Sequence, residues 1–374
     1  MESIKMVDLH GQYLRIKPEI DEAIQQVLTS TAFIQGPQVS SFAKALGNYI
    51  QCDAVIPCAN GTDALQIAMM ALDLKPGDEV IVPVHTYVAT AEVIALLNLT
   101  PVFVDVDEQT FNLDVSQLEK SITPATKAIV PVHLYGQCAN MEEILSIAKR
   151  HDLFVIEDVA QALGAKYKFS NGTSRFAGTM GTIGTTSFFP SKNLGCYGDG
   201  GAIFTNDPEL GEKIRVIANH GQKKKYYHDT IGVNSRLDTL QAAILEVKLK
   251  YLDDYAQKRN EVALKYDHAL KNTPGVKIPF RDHSSTHVFH QYTLRVDRRN
   301  ELKNFLEQNR IPTMIYYPVP LHLQKAYKRP GFDRGSFPVT EKLSDTVISL
   351  PIHTEMKEEE LLYITETINR FYKG

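Results

Sequence analysis

The sequence predicts an α/β fold, a mainly parallel mixed sheet flanked by helices, with a smaller α+β lobe at the C-terminal end. Two observations carry this. Between about Ala54 and Pro208, short apolar runs alternate with segments of helical period, and the runs are β-branched and nearly continuous. Strands buried on both faces have that texture, and their alternation with helices gives right-handed crossovers on a parallel sheet. Beyond about Leu237 the texture changes to one long helical pattern followed by isolated strands. A chain of 374 residues can build two cooperating lobes, expected at 1–236 and 237–374. No repeat or low-complexity linker divides them, so they are expected to share an interface.

The elements follow in order. Ala54 to Cys58 is a strand that leads into a turn at Asn60-Gly61 and a helix through Leu72. Glu79 to Pro83 is a second strand, and Tyr87 to Leu97 a helix. Val102 to Asp105 and Ala128 to Val132 are strands, Met141 to Arg150 is a helix, and Phe154 to Asp158 is a strand. In the second lobe Leu237 to Ala269 reads as helix, Val288 to Val296 and Met314 to Tyr317 as strands, and Lys357 to Tyr372 as a closing helix.

Composition narrows the function. Forty basic against 44 acidic residues leave a formal charge of −4, which gives no electrostatic reason to expect nucleic acid or a membrane as partner. Lys223, Lys224 and Lys225 form the dense basic cluster, read either as a solvated loop or as a neighbour of an anionic ligand. The N-terminal stretch lacks the apolar region of an export signal, and no apolar run reaches the ~18 residues of a membrane span. A cytoplasmic location is therefore expected. Cys52, Cys58, Cys138 and Cys196 are scattered, as reduced packing residues are. His10, His85, His133 and His220 show no zinc-ligand spacing, so no metal site is expected.

Three segments carry chemistry. At Asn60-Gly61-Thr62-Asp63-Ala64-Leu65 a strand turns into a helix, Gly61 permits close backbone approach, and the free N–H groups of the first turn attract a phosphate. An Asn-Gly turn with a purely structural cap reads the same way. In Val155-Ile156-Glu157-Asp158-Val159-Ala160-Gln161 an apolar strand ends in an acid, which places Asp158 at the carboxyl edge of the sheet. There it could keep a pyridinium nitrogen protonated, or simply cap the next helix. In Thr186 to Gly195, Lys192 lies between a strand and a glycine-rich stretch, a setting for a desolvated, nucleophilic amine, although an isolated lysine would read as a surface charge. Ser187 can offer its hydroxyl to a phosphate. Together these supply what pyridoxal phosphate requires: a hold on its phosphate, a carboxylate for its ring nitrogen and an amine for its carbonyl.

Over nearly its whole length the chain resembles the DegT/DnrJ/EryC1/StrS sugar-nucleotide aminotransferases, which have the fold type I architecture of pyridoxal-phosphate enzymes. The stretches that carry the likeness are 60–65, 157–161, 187–192, 198–201 and Gly232-Val233-Asn234-Ser235-Arg236-Leu237. The resemblance implies that Lys192 is the Schiff-base lysine, that Asp158 pairs with the pyridine nitrogen and that Gln161 contacts the ring's phenolic oxygen. It implies Gly61, Thr62 and Ser187 as phosphate ligands, Tyr87 as the stacking ring, and Asn234 as a phosphate ligand reaching in from a neighbouring subunit, hence a homodimer with shared sites.

The wording of Cys58 to Gln66, Tyr135 to Ala139 and Leu194 to Gly201 is similar to that of family members acting at C3 of a UDP-linked N-acetylated uronic acid, with L-glutamate as donor. Arg236 then suits the substrate carboxylate, although arginine there is widespread in the family. Tyr317 and His322 match a segment lining the sugar pocket, or else pack an irregular strand. Two other readings stay open, the same chemistry on a dTDP-linked 3- or 4-keto-6-deoxyhexose and a non-catalytic pyridoxal-phosphate-binding regulator. The dehydratases of the family replace the lysine with histidine, and Lys192 stands against that reading.

Overall fold

The computed structural model describes residues 4–373, so residues 1–3 and 374 of the two expected lobes lie outside the described residues. The strands of the large lobe are β1 (Ala54–Cys58), β2 (Glu79–Pro83), β3 (Thr100–Val104), β4 (Thr126–Ile129) and β5 (Phe154–Asp158). A small hairpin, β6 (Lys166–Lys168) and β7 (Ser174–Phe176), precedes β8 (Ile183–Ser187) and β9 (Gly201–Thr205). The seven-stranded sheet has the order β1-β9-β8-β5-β4-β2-β3. Pairs β2/β3, β2/β4, β4/β5 and β5/β8 are parallel, and β9 runs antiparallel to both of its neighbours.

The helices of this part are α1 (Leu9–Arg15), α2 (Lys17–Ser30), α3 (Pro37–Ile50), α4 (Gly61–Ala71), α5 (Ala89–Leu96), α6 (Val115–Leu118), α7 (Met141–Arg150) and α8 (Pro208–Ala218), of which α3, α4, α5, α7 and α8 cover the sheet. The two-residue alternation of a strand divides its side chains between two cores. Ile81, Ile129 and Val155 pack on one face with Phe42 and Leu46 of α3 and Ile144 of α7. Val80, Val82 and Ile156 pack on the other with Leu65, Ile94 and Ile214 of α4, α5 and α8. Both faces are apolar, which is why the strands read as continuous rather than alternating runs.

The remaining elements are a hairpin of β10 (Gln222–Lys224) and β11 (Tyr227–His228), helices α9 (Thr239–Leu249) and α10 (Leu252–Leu270), a sheet of β12 (Val276–Lys277), β13 (Tyr292–Val296) and β14 (Val347–Leu350), and helices α11 (Arg299–Gln308), α12 (Pro338–Thr346) and α13 (Glu358–Lys373). A third core joins Val262 and Tyr266 of α10, Leu294, Leu302, Ile348 and Ile364.

Three details differ from the sequence reading. The helical pattern from Leu237 to Ala269 is two helices, and Ala242, Leu245 and Leu249 of α9 pack in the large-lobe core with Phe42 and Leu46. A division at residue 237 therefore precedes a helix whose buried face belongs with the first lobe. The strand expected from Val288 starts only at Tyr292, because Val288 and Phe289 turn toward Gly136 and Arg259. Met314 to Tyr317 makes a single bridge, Met314 to Ser349, and then leaves the sheet to pack near the carboxyl end of β5. The lysine cluster occupies the exposed β10–β11 hairpin, where Lys224 and Lys225 lie 4.7 and 5.1 Å from the rings of Tyr227 and Tyr226. All four cysteines are free and buried. No helix among the described residues is long and apolar enough to cross a membrane.

Candidate active site

Strand register assembles the site. Cys58 of β1 and Ser187 of β8 both stand opposite Gly201 of β9, which sets the start of α4 beside the end of β8. A Cβ on Gly61 would sit 2.7 Å from Ser187 Cβ, and one on Gly201 2.5 Å from the carbonyl carbon of Asn60. Both positions are glycine because the backbones nearly touch. Asn60 caps α4, its Oδ1 accepting from Asp63 N at 2.8 Å. That leaves the N–H groups of Gly61 and Thr62 in a first turn without intrahelical acceptors. Ser187 Oγ accepts from Phe189 N at 3.2 Å and keeps its own proton to donate. Three donors thus converge at a positive helix end, a cradle for a phosphate.

Gly61→Ala is expected to cost about 1–3 kcal/mol through overpacking against Ser187 and to weaken cofactor binding with it. Thermal unfolding and cofactor titration of the variant check this, and a variant unchanged in both would contradict the cradle.

Asp158 ends β5 and is 6% exposed. Its Oδ2 accepts from Thr90 Oγ1 at 2.9 Å and its Oδ1 from Ala160 N at 3.1 Å. No helix follows β5, only a turn, so Asp158 caps none, and lone pairs remain on each oxygen for a further N–H. Gln161 is oriented from behind: Tyr135 N donates to its Oε1 at 2.8 Å, so its amide N–H groups face Tyr317, whose hydroxyl accepts at 3.2 Å. Tyr135 adopts φ 57°, a left-handed conformation that turns its N–H to Gln161, and its hydroxyl donates to the Tyr316 carbonyl. Its oxygen then accepts from His85 Nε2 at 3.2 Å, and burial pushes that imidazole down to about 4, leaving it neutral. Tyr87 is 57% exposed, its ring 6.3 Å from that of Tyr317, so one face is open for stacking.

Lys192 follows β8 on a tight loop. Its N–H donates to Phe189 O at 2.8 Å, Asn193 Nδ2 donates to Val288 O at 2.9 Å, and the buried Lys248 donates to Gly195 O at 2.5 Å. The Lys192 side chain keeps some accessible surface, but its amine lies deep. Burial pushes it down to about 8, against the opposing pull of the Asp158 carboxylate. The two residues that the sequence set 34 positions apart are electrostatic neighbours. A neutral amine attacks carbonyls, so capture of pyridoxal phosphate by the apoprotein is expected to speed up with pH and level off above about 8. A stopped-flow pH series measures this, and a rate still climbing in the range of an ordinary lysine would contradict it.

The remaining expected residues divide. Ser235 Oγ accepts from Ala59 N at 3.1 Å, which draws its neighbours Asn234 and Arg236 toward the start of α4. Asn234 is exposed and Arg236 partly so, and among the described residues neither side chain has a protein partner. His322 stands apart: it has zero exposure, its Nε2 pairs with Glu341 at 3.0 Å, and its ring lies 4.7 Å from that of Phe337. That is the packing alternative. Thr90, Tyr135 and Lys248 were not singled out by the sequence and His85 was given no role, since each contacts the site through another residue and no spacing marks it. Among the described residues no group of three or more His, Cys, Asp or Glu side chains could hold a metal.

The geometry fits the cofactor, with a cradle, an acceptor-rich carboxylate, an open stacking ring and a buried amine of lowered pKa. The profile of the DegT/DnrJ/EryC1/StrS aminotransferase family matches residues 14–369. The chain belongs to this family. Among similar members is a Pseudomonas aeruginosa UDP-2-acetamido-2-deoxy-3-oxo-D-glucuronate aminotransferase, 49% identical over 94% of this chain and 95% of that one. A Geobacillus stearothermophilus "pleiotropic regulatory protein" is also 49% identical, over 99% of both chains. The crystal structure of DesV from S. venezuelae, in complex with a ketimine intermediate, superposes with a TM-score of 0.96 at 39% identity and covers all of both chains. This confirms the fold class, and further solved relatives are described in PLP and PMP forms.

Proposed function

We propose that this aminotransferase moves the amino group of L-glutamate to the C3 keto group of a UDP-linked 2-acetamido-2-deoxy-3-keto-glucuronate, for surface-polysaccharide (O-antigen type) sugar biosynthesis. The observation that carries the chemistry is the buried Lys192 amine, held on its tight loop within electrostatic reach of Asp158. The substrate rests on the likeness to the Pseudomonas enzyme and on Arg236, a partly exposed guanidinium next in sequence to Ser235, whose Oγ accepts from Ala59 N. Pyridoxal 5′-phosphate would be held by Gly61, Thr62, Ser187, Asp158, Gln161 and Tyr87, with Lys192 binding its carbonyl carbon. When bound, it supplies an electron sink for the carbon that loses its proton.

The protein's own groups do the rest. Lys192, with its amine free, would move a proton at the substrate carbon, and its lowered pKa suits general acid–base work near neutrality. Asp158 would accept the ring N–H, and Gln161, its Oε1 held by Tyr135 N, would donate to the ring oxygen. Tyr87 would stack on the ring, and Tyr317, its own ring 6.3 Å from that of Tyr87, accepts from Gln161 and so retains a hydroxyl proton for substrate. We place the enzyme in the cytoplasm as a homodimer with Asn234 serving the partner's phosphate. The exposed Tyr87, Phe189, Ile231 and Asn234 support that reading.

The test is amino transfer from L-glutamate to a panel of keto-sugar nucleotides. Product with the UDP-linked 3-keto-uronate alone supports the proposal, and product with a dTDP-linked keto-6-deoxyhexose moves the assignment there. No transfer to any acceptor by cofactor-loaded protein favours the regulatory reading, which the Geobacillus relative's name raises.

A further inference from the structure

The hydroxyl of Thr90 is buried beside Asp158, the carboxylate that would face the ring nitrogen, and nothing in the reaction as described uses it. Thr90 is the second residue of α5, has zero exposure, and donates from Oγ1 to Asp158 Oδ2 at 2.9 Å. Behind it Thr86, 2% exposed, places its Oγ1 3.3 Å from Thr90 Oγ1. A carboxylate only accepts and a hydroxyl has one proton, so Thr90's proton is committed to Asp158 and Thr86's is directed to Thr90. We propose that Thr90, backed by Thr86, is a positioning residue that fixes the plane of the Asp158 carboxylate toward the cofactor's pyridine nitrogen.

This rests on the aminotransferase reading. Asp158 has two fixed donors, Thr90 on one oxygen and the Ala160 N–H on the other. The second alone would act as a hinge; the two together hold the carboxylate plane. Asp158 is 6% exposed, so a lost donor is not readily replaced by bulk water. The same turn also carries Tyr87, whose carbonyl accepts from Thr90 N at 3.4 Å. The stacking ring and the carboxylate's orientation are therefore set by one five-residue segment, Thr86 to Thr90.

Thr90→Val keeps the shape and removes the hydroxyl. The apoprotein of this variant is expected to bind pyridoxal phosphate about tenfold more weakly in equilibrium titration. Its kcat is expected to fall with little change in KM for the keto-sugar, and Thr90→Ser is expected to restore both. Thr86→Val, which leaves the Asp158 contact in place, is expected to show a smaller change in the same direction and serves if Thr90→Val does not fold. Wild-type affinity and kcat in Thr90→Val, or a loss that Thr90→Ser fails to rescue, would overturn the positioning role. If wild-type protein itself does not bind pyridoxal phosphate, the aminotransferase reading fails instead.

Discussion

Lys192→Ala loses amino transfer by roughly a thousandfold or more, because a general acid–base group contributes on the order of 10²–10⁴ and this one also binds the cofactor's carbonyl carbon. The loop that presents it does not depend on its side chain. Its turn is closed by backbone at Phe189, by Asn193 on Val288 and by Lys248 on Gly195, so the variant is expected to fold. Removing a buried amine whose charged form is disfavoured is not expected to lower stability. Steady-state transfer and thermal unfolding of the variant check both halves. A variant that unfolds with the wild type and retains near-normal transfer would contradict the assignment of Lys192.

Asp158→Ala is expected to lose roughly 10²–10³-fold in kcat, the scale for removing one preorganised group that faces developing charge. It also leaves the Thr90 hydroxyl and the Ala160 N–H without their acceptor, so a modest loss of stability accompanies it. Asp158→Asn separates the two effects. It keeps an acceptor oxygen and the side-chain shape but removes the negative charge, and it is expected to recover stability while transfer stays low. Recovery of transfer by the asparagine would mean that the charge is not what the reaction needs.

The centre of the large lobe was legible because its inner strands are buried on both faces. Runs such as Glu79–Pro83 and Phe154–Asp158 have no polar face to blur their ends, and both strands fall where the sequence put them. The second lobe was less legible. From Leu237 to Ala269 helical spacing continues across the break at Lys250-Tyr251, because both helices bury an apolar stripe, which passes from the large-lobe core at Leu252 to the second-lobe core from Val262 onward. Met314 to Tyr317 looks like a strand from its composition, yet Tyr316 and Tyr317 are drawn off by Tyr135 and Gln161, partners more than 150 residues away in sequence.

At the site the sequence singles out Gly61, Asp158, Ser187 and Lys192 by their own chemistry at a strand end or a glycine turn, whereas Gln161, Tyr87 and Asn234 stand out only by family resemblance. Their supports were not legible, because Thr90 and Tyr135 act through hydrogen bonds that only folding creates. His322 shows the reverse case. A histidine in a suggestive segment is enclosed by Glu341 and Phe337, and its burial could not be read from its neighbours in sequence.

The most direct test of the central claim is the glutamate half-reaction on cofactor-loaded protein with no sugar acceptor present. The account predicts one equivalent of 2-oxoglutarate per chain, released once, with loss of the visible absorption of the lysine-bound cofactor. No 2-oxoglutarate, or continuous release without an acceptor, would contradict it.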